Sequence, residues 1–545
     1  MNALSSEPRR AISRHDWIAI AILCALGTFF FADVLIGTQN VFMRDLTRYY
    51  YPTKQVLREI VQHGEFPYWN RYFSAGQPIA ANPEHEVFYP LTWLILLPSY
   101  DLGYRLHILI HVYIGLLAMY ALLRSMELRP AAATFGALAF GLGGIYLSYI
   151  NLLPILFCAA WLPLTCLYVR KFLLHPRLRY FALASLFLGL QFLIGEPTTV
   201  MQTGLLIGMY ALYRGWYAAK EHDGRFWRDA VPEMIARVAF IALISMAAIA
   251  VGAAQMMPAI DHVGDSARAK AFEFSLVSAW SFPWAKFAEV IYPMVLGHIS
   301  INDAMLYWGG GLYPGMGSPF LFSIYAGLLV IGLAIAGLFT RPRGGRFVLL
   351  LCFFSALIAL GAHTPLLRFL YDHHIAASIR YPEKFILVGV FAITIFASQL
   401  FQRLLDGDEA LREAVMGFVL ATAVVAALLA LASFLPVYTK TFSRIWGFSG
   451  VLNERMVKIT RIDWTIAALR GAVLFFILWS FPRIERKSWI VLIFLFVVID
   501  LGPVVHQLNP RMPSEFFTKA PAADRQFPQN REAFRVFHEA DWYGQ

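Results

Sequence analysis

The residues best suited to chemistry follow the first apolar run. Asp45 sits in Val41-Phe-Met-Arg-Asp-Leu-Thr-Arg-Tyr-Tyr-Tyr-Pro52. A carboxylate just beyond a membrane, among aromatic residues, is suited to general-base work. It can take the proton of an acceptor hydroxyl as that oxygen attacks a sugar carbon. Partial burial would raise its pKa toward the working pH. The same carboxylate could instead cap the following helix or pair with Arg44 or Arg48. A second polar knot, Glu84, His85 and Glu86, precedes Phe88-Tyr-Pro90. It could bind acceptor, assist as acid or base, or help Asp45 hold a divalent metal such as Mg or Mn. Neighbouring side chains on a loop need not converge, so a solvated or capping turn is the alternative. Trp69, in Gly64-Glu-Phe-Pro-Tyr-Trp-Asn70, is a candidate for stacking on a sugar.

Further along, Arg380 and Lys384 lie four residues apart before a later apolar run. Two cations there suit a lipid phosphate: Arg chelates two oxygens and Lys adds a point charge. Interfacial snorkelling, with Glu383 as local partner, is the alternative. Glu196 stands between two apolar runs, where it could orient a sugar or simply precede the helix-starting Pro197. Glu289 and Asp303 are candidate sugar or acceptor contacts in a large loop. Gly309-Gly-Gly311 lacks the setting and the Lys of a phosphate loop. No nucleophile elbow and no zinc-ligand spacing of Cys and His is present.

The surroundings of these residues are set by composition. Of 545 residues, 59% are hydrophobic and 15% charged, and the mean hydropathy is +0.58. A soluble domain of this length could not hide that much apolar surface. Crossing a bilayer takes about 20 apolar residues, and roughly thirteen such runs are readable. They are 17–36, 102–123, 132–150, 152–169, 180–195, 198–213, 235–257, 319–340, 347–361, 385–402, 414–435, 464–482 and 488–506. The short run Tyr89–Pro98 reads as interfacial or re-entrant. The first run reads as an anchoring helix rather than a cleaved signal peptide.

Charge gives the direction. The N-terminus and alternate connections carry Arg9, Arg10 and Arg14; Arg124 and Arg129; Arg170, Lys171, Arg177 and Arg179; Arg214, Lys220, Arg225 and Arg228; Arg341, Arg343 and Arg346; Arg403 and Arg412; and Arg483, Arg486 and Lys487. The short opposite connections, near Asn151 and Gly195–Pro197, have none. The positive-inside rule then gives a cytoplasmic N-terminus and an extracytoplasmic C-terminus. Residues 1–506 form one polytopic domain, with long outer loops at 37–101 and 258–318 and an outer tail over 507–545. An enzyme facing that side has no ATP and needs a donor activated elsewhere, such as a lipid-linked sugar. Positive charge spread over membrane loops gives nucleic-acid binding no support.

The first loop carries a family resemblance. A first span, then Asp45, Tyr50-Tyr-Pro52, Gly64-Glu-Phe-Pro-Tyr-Trp-Asn70, Gly76-Gln-Pro78 and Phe88-Tyr-Pro90 resemble the bacterial YfhO-like membrane proteins. Gly189-Leu-Gln-Phe-Leu-Ile-Gly-Glu-Pro197 and Ile379-Arg-Tyr-Pro-Glu-Lys-Phe385 resemble two further family segments. Relatives often have His where this chain has Glu196, and they often carry a longer outer C-terminal region. The resemblance implies an all-α polytopic fold of the GT-C glycosyltransferase class in a bacterial inner membrane. It implies inverting transfer from a polyprenyl-phosphate-linked sugar to an envelope glycan, polymer or lipid acceptor. The catalytic base then maps onto Asp45. A transporter or flippase of lipid-linked intermediates, and a noncatalytic envelope assembly factor, are the competing readings.

Overall fold

The computed structural model describes residues 12–519, except 74–75, 222–225, 267–268, 271, 300–305, 341–343, 376–378 and 446–453. Each of the thirteen apolar runs contains a helix. The helices are α1 (Arg14–Phe30), α2 (Tyr100–Ser125), α3 (Pro130–Gly141), α4 (Leu153–Leu174), α5 (Leu178–Ile194), α6 (Pro197–Glu221) and α7 (Val231–Gly264). They continue with α8 (Leu328–Thr340), α9 (Gly345–Ala359), α10 (Ile386–Leu405), α11 (Glu409–Ala432), α12 (Glu454–Ser480) and α13 (Arg486–Leu508). Eight helical stretches among the described residues are long and apolar enough to cross a membrane. The fold is that of an all-α polytopic membrane protein.

Burial sorts the helices. α3 and α4 are apolar on nearly every side and buried on nearly every side, so they form the centre of the bundle. Tyr146, from the short helix Gly144–Ser148, closes over Gly115 of α2; a Cβ there would meet its hydroxyl at 2.4 Å. By contrast α7, α11 and α12 leave apolar residues such as Leu243, Leu428 and Phe476 exposed. Such helices present a lipid-facing side.

One run departs from expectation. The stretch 319–340 becomes helical only at Leu328, because its first part is an extended segment held by other elements. The Phe320 amide donates to Glu383, the Ser323 amide to Ser148 Oγ, and Tyr325 O accepts from the Gly144 amide. Gly327, at φ +110°, makes the turn into α8. Irregular backbone is tolerated inside a bundle where protein groups satisfy it.

The ends of the bundle differ in charge. On one face, Arg124 bonds Asp16 at 2.6 Å, Arg129 pairs with Asp406 at 2.9 Å, and Arg170 donates to Ser125 O. Arg124, Arg129 and Arg170, from two of the connections read as basic in the sequence, meet there. The opposite face carries the long loops. There β1 (Gln39–Val41) pairs antiparallel with β4 (Arg511–Pro513), joining the first loop to the segment after α13. Arg511 also pairs with Asp33. Tyr89–Pro98 is a short 3-10 helix over Pro90–Leu96, anchored by the fully buried Tyr89.

Candidate active site

The first loop turns sharply at Arg44, which is left-handed at φ 43°. The chain then winds through Leu46–Tyr50 into the helix Tyr51–Gln62, with Pro52 in its first turn. Leu46, Tyr50, Tyr51, Lys54 and Leu57 face inward on this stretch. Asp45, Arg48, Pro52 and Gln55 form its exposed stripe. The helical period therefore pins the tyrosines to the bundle and turns Asp45 out.

Asp45 neither caps the helix that follows nor pairs with Arg44 or Arg48 within 4 Å among the described residues. Protein closes round one side of its carboxyl while water reaches the other. That partial desolvation raises its pKa above the ordinary carboxylate value, and the charges of Arg44 and Arg48 pull the other way. Arg44 is committed elsewhere. Its Nη1 donates to Pro319 O at 2.9 Å, and its guanidinium lies 5.3 Å over the Phe322 ring.

That contact links the first loop to the later cations through the extended segment at 319–322. Lys384 Nζ lies 5.4 Å from the Phe320 ring centre and pairs with Glu196 at 3.1 Å. Arg380 stacks against Phe272 and Tyr381, at 4.8 and 4.9 Å. Tyr381 is left-handed at φ 65°, and Pro382 opens a 3-10 turn. The four-residue spacing therefore does not put Arg380 and Lys384 on one helix face. Lys384 is neutralised by Glu196, whereas Arg380 has only aromatic contacts among the described residues.

Glu196 both precedes Pro197 and accepts from the Thr199 amide at 2.5 Å. Burial works to raise its pKa. The charge of Lys384 and the bonds from Thr199 outweigh that and hold it below the usual range. Glu383 is turned away from Arg380 and Lys384. It pairs with Lys286 at 2.7 Å, accepts from Tyr313 Oη at 3.0 Å, and is fully buried.

The remaining candidates are spread out. Glu86 is fully buried and paired with Lys54, which also donates to His85 O at 2.6 Å. Burial pushes Glu86 up to about 7 against the pull of Lys54. His85 is buried and stacked on Tyr49, with its pKa pushed down to about 3 by burial and by Lys54. Glu84 is bonded to Tyr49. Glu289 is buried 3.8 Å from Lys286, and burial pushes it up to about 8. Asp303 lies outside the described residues. Trp69 is exposed on the hairpin of β2 (Trp69–Asn70) and β3 (Gln77–Pro78). Its indole lies where a Cβ on Gly76 would fall, 2.3 Å away, so that position requires glycine.

No three His, Cys, Asp or Glu side chains converge as metal ligands among the described residues. The suggested set of Asp45, His85 and Glu86 does not fit a metal: the ammonium of Lys54 already occupies the Glu86 carboxylate. Sequence reasoning missed Lys54 and Lys286. Each is a lone Lys in an aromatic, apolar stretch, and each is fully buried. It also missed the chain from Trp161 to Tyr89 and on to His111, with bonds of 2.8 and 2.7 Å.

No protein-family model matches the chain, and no curated protein matches it. Among solved structures, the crystal structure of ArnT from Cupriavidus metallidurans bound to undecaprenyl phosphate is similar to it. That similarity covers 91% of this chain and 78% of ArnT, with 14% sequence identity and a TM-score of 0.46. The apo-state crystal structure of ArnT from the same organism matches over 90% of this chain and 77% of its own, with 15% identity and a TM-score of 0.48.

Proposed function

We propose that the chain is a YfhO-like, GT-C-class membrane glycosyltransferase. It moves a sugar from a polyprenyl-phosphate-linked donor to an envelope glycan, polymer or lipid acceptor, with inversion. The observation that carries the reading is Asp45: an exposed carboxylate of raised pKa on the loop face of the bundle, without a bonded partner among the described residues. Nearly every other acidic candidate is buried or tied to a partner.

In this reading Asp45 accepts the proton of the acceptor hydroxyl. The hydroxyl oxygen bonds to the anomeric carbon, and the bond from that carbon to the phosphate oxygen breaks. The polyprenyl phosphate leaves with the electron pair. Arg380, free of carboxylate partners among the described residues, attracts the phosphate. The Glu196–Lys384 pair positions its surroundings, and Trp69 offers a stacking surface. In this reading the loop face is extracytoplasmic, since the sequence puts its basic residues in the alternate connections. No step is routed through a metal.

The test offers purified protein a panel of synthetic polyprenyl-phosphate sugars with envelope acceptors and scores transfer and donor hydrolysis. The wild type turns over at least one donor, and Asp45→Asn loses about 10²–10⁴-fold of that rate while inserting normally. Full activity in Asp45→Asn removes it as base. No turnover of any donor, together with movement of the lipids between leaflets, favours the flippase.

A further inference from the structure

Away from Asp45, the loop face holds a second polar site that the transferase reading does not use. His298, on the 258–318 loop, meets Asp463 of α12 and Gln507 of α13. Its Nε2 lies 2.7 Å from Asp463 Oδ2, and its Nδ1 lies 2.7 Å from Gln507 Nε2. An amide nitrogen can only donate, so Gln507 donates to Nδ1 and the imidazole carries its proton on Nε2, toward Asp463. In that arrangement His298 presents an N–H to Asp463.

No Lys or Arg pairs with Asp463 among the described residues. Arg470 lines the same cavity, but its charge is taken up by Asp500 at 3.0 Å and it lies over the Tyr325 ring. The carboxylate is left with the bond to His298 and the more distant charge of Arg470, and a charge so thinly paired is costly at the edge of a membrane. Gln507 Oε1 is also buried without a donor. Both groups ask for N–H protons on a cation.

The cavity between these residues has a volume of about 100 Å³. That is room for a small polar head group. Tyr292 and Trp464 pack edge to face along its wall, as do Trp308 and Phe442. Aromatic walls beside a carboxylate favour an organic cation. Ile466 and Pro503 also line the cavity, and both are exposed. Ile466 belongs to the exposed stripe Ile462, Ile466, Leu469, Val473 and Phe476 of α12, which faces lipid. The site therefore borders the bilayer between α12 and α13.

We propose that the His298–Asp463–Gln507 cavity binds the primary ammonium head of a membrane amphiphile, whose apolar chains stay in the bilayer against the α12 stripe. The ammonium donates to Asp463 and Gln507 Oε1. Quaternary ammonium heads lack those protons and are refused.

The experiment measures retention of lipids on the full-length protein by native mass spectrometry, after exchange from vesicles. The vesicles contain equal amounts of ethanolamine-headed and choline-headed phospholipid with matched chains. Wild type retains the ethanolamine lipid at least about tenfold over the choline lipid. Asp463→Asn brings the ratio to parity. Ile466→Trp, which blocks the mouth and leaves the charges in place, lowers retention of the ethanolamine lipid even if Asp463→Asn does not fold. Equal retention by wild type overturns the proposal and makes His298 an imidazolium that neutralises Asp463 internally. Displacement by an equal concentration of free ethanolammonium overturns the bilayer source in favour of a soluble amine.

Discussion

Two regions of the loop face use carboxylates in opposite ways. In one, Lys286 lies between Glu383 and Glu289, and Lys54 meets Glu86, all of them buried. In the other, Asp45 stands in the open with no bonded partner. Buried pairs are bought with desolvation and return a fixed geometry. The Lys54 pair joins the helix Tyr51–Gln62 to the turn at Glu86, and the Lys286 pair joins the 258–318 loop to the head of α10. These clusters hold the platform, and in the proposed reaction the open carboxylate is the one left for substrate. Substitutions in the two regions should therefore fail in different assays.

The largest expected effect separates them at once. Asp45→Asn is expected to abolish nearly all transfer while the thermal unfolding midpoint in detergent stays within a degree or so, since the side chain makes no bond to lose. A large fall in midpoint would make Asp45 part of the platform. Lys286→Met is expected to do the reverse. Removing one partner of a buried pair leaves uncompensated charge, at a cost of about 3–5 kcal/mol. Unfolding should shift markedly, and activity should fall only in proportion to the folded fraction. An unchanged midpoint would mean that water reaches Lys286.

Glu289 offers a gentler probe. Its pKa is raised to about 8 in the folded chain, so between the ordinary carboxylate value and about 8 the folded state binds a proton that the unfolded state lacks. Stability from this group is then full at low pH and falls as pH rises through that window. The slope is at most about 1.4 kcal/mol per pH unit. Glu289→Gln should flatten the pH dependence of the midpoint and leave the variant more stable than wild type near pH 8. Parallel curves for the two proteins would remove Glu289 as the source.

How much of this was legible in the sequence follows from the range of the interactions. Hydrophobic periodicity acts over a few turns, and each of the thirteen apolar runs contains a helix. The extended start of 319–340 was not legible. Phe320, Ser323 and Tyr325 bond to Glu383, Ser148 and Asp500, which are far away in the chain. Nor was the setting of Arg380 and Lys384 legible: a left-handed Tyr381 breaks the helix between them, both cations lie against its ring, and Glu196, 188 residues away, takes Lys384. The exposed position of Asp45 was half legible. The pattern Leu46, Tyr50, Tyr51, Leu57 gives the inward face of the helix, but only the fold could show Arg44 diverted to Pro319.

That diversion supports the subtlest test. Arg44 and Arg48 both lower the pKa of Asp45, with Arg44 contributing more, while burial raises it. A general base works only when deprotonated, so transfer activity should rise with pH through the folded pKa of Asp45. Removing either arginine raises that pKa further and moves that acidic limb to higher pH. Arg44→Gln should move it further than Arg48→Gln. Arg44→Gln also loses the bond to Pro319, so its rate at the plateau should fall too. Arg48→Gln, on the exposed stripe, should shift the limb and leave the plateau nearly unchanged. A limb that stays in place in both variants would mean that the titrating base is not Asp45, and would undo the contrast between the open carboxylate and the buried ones.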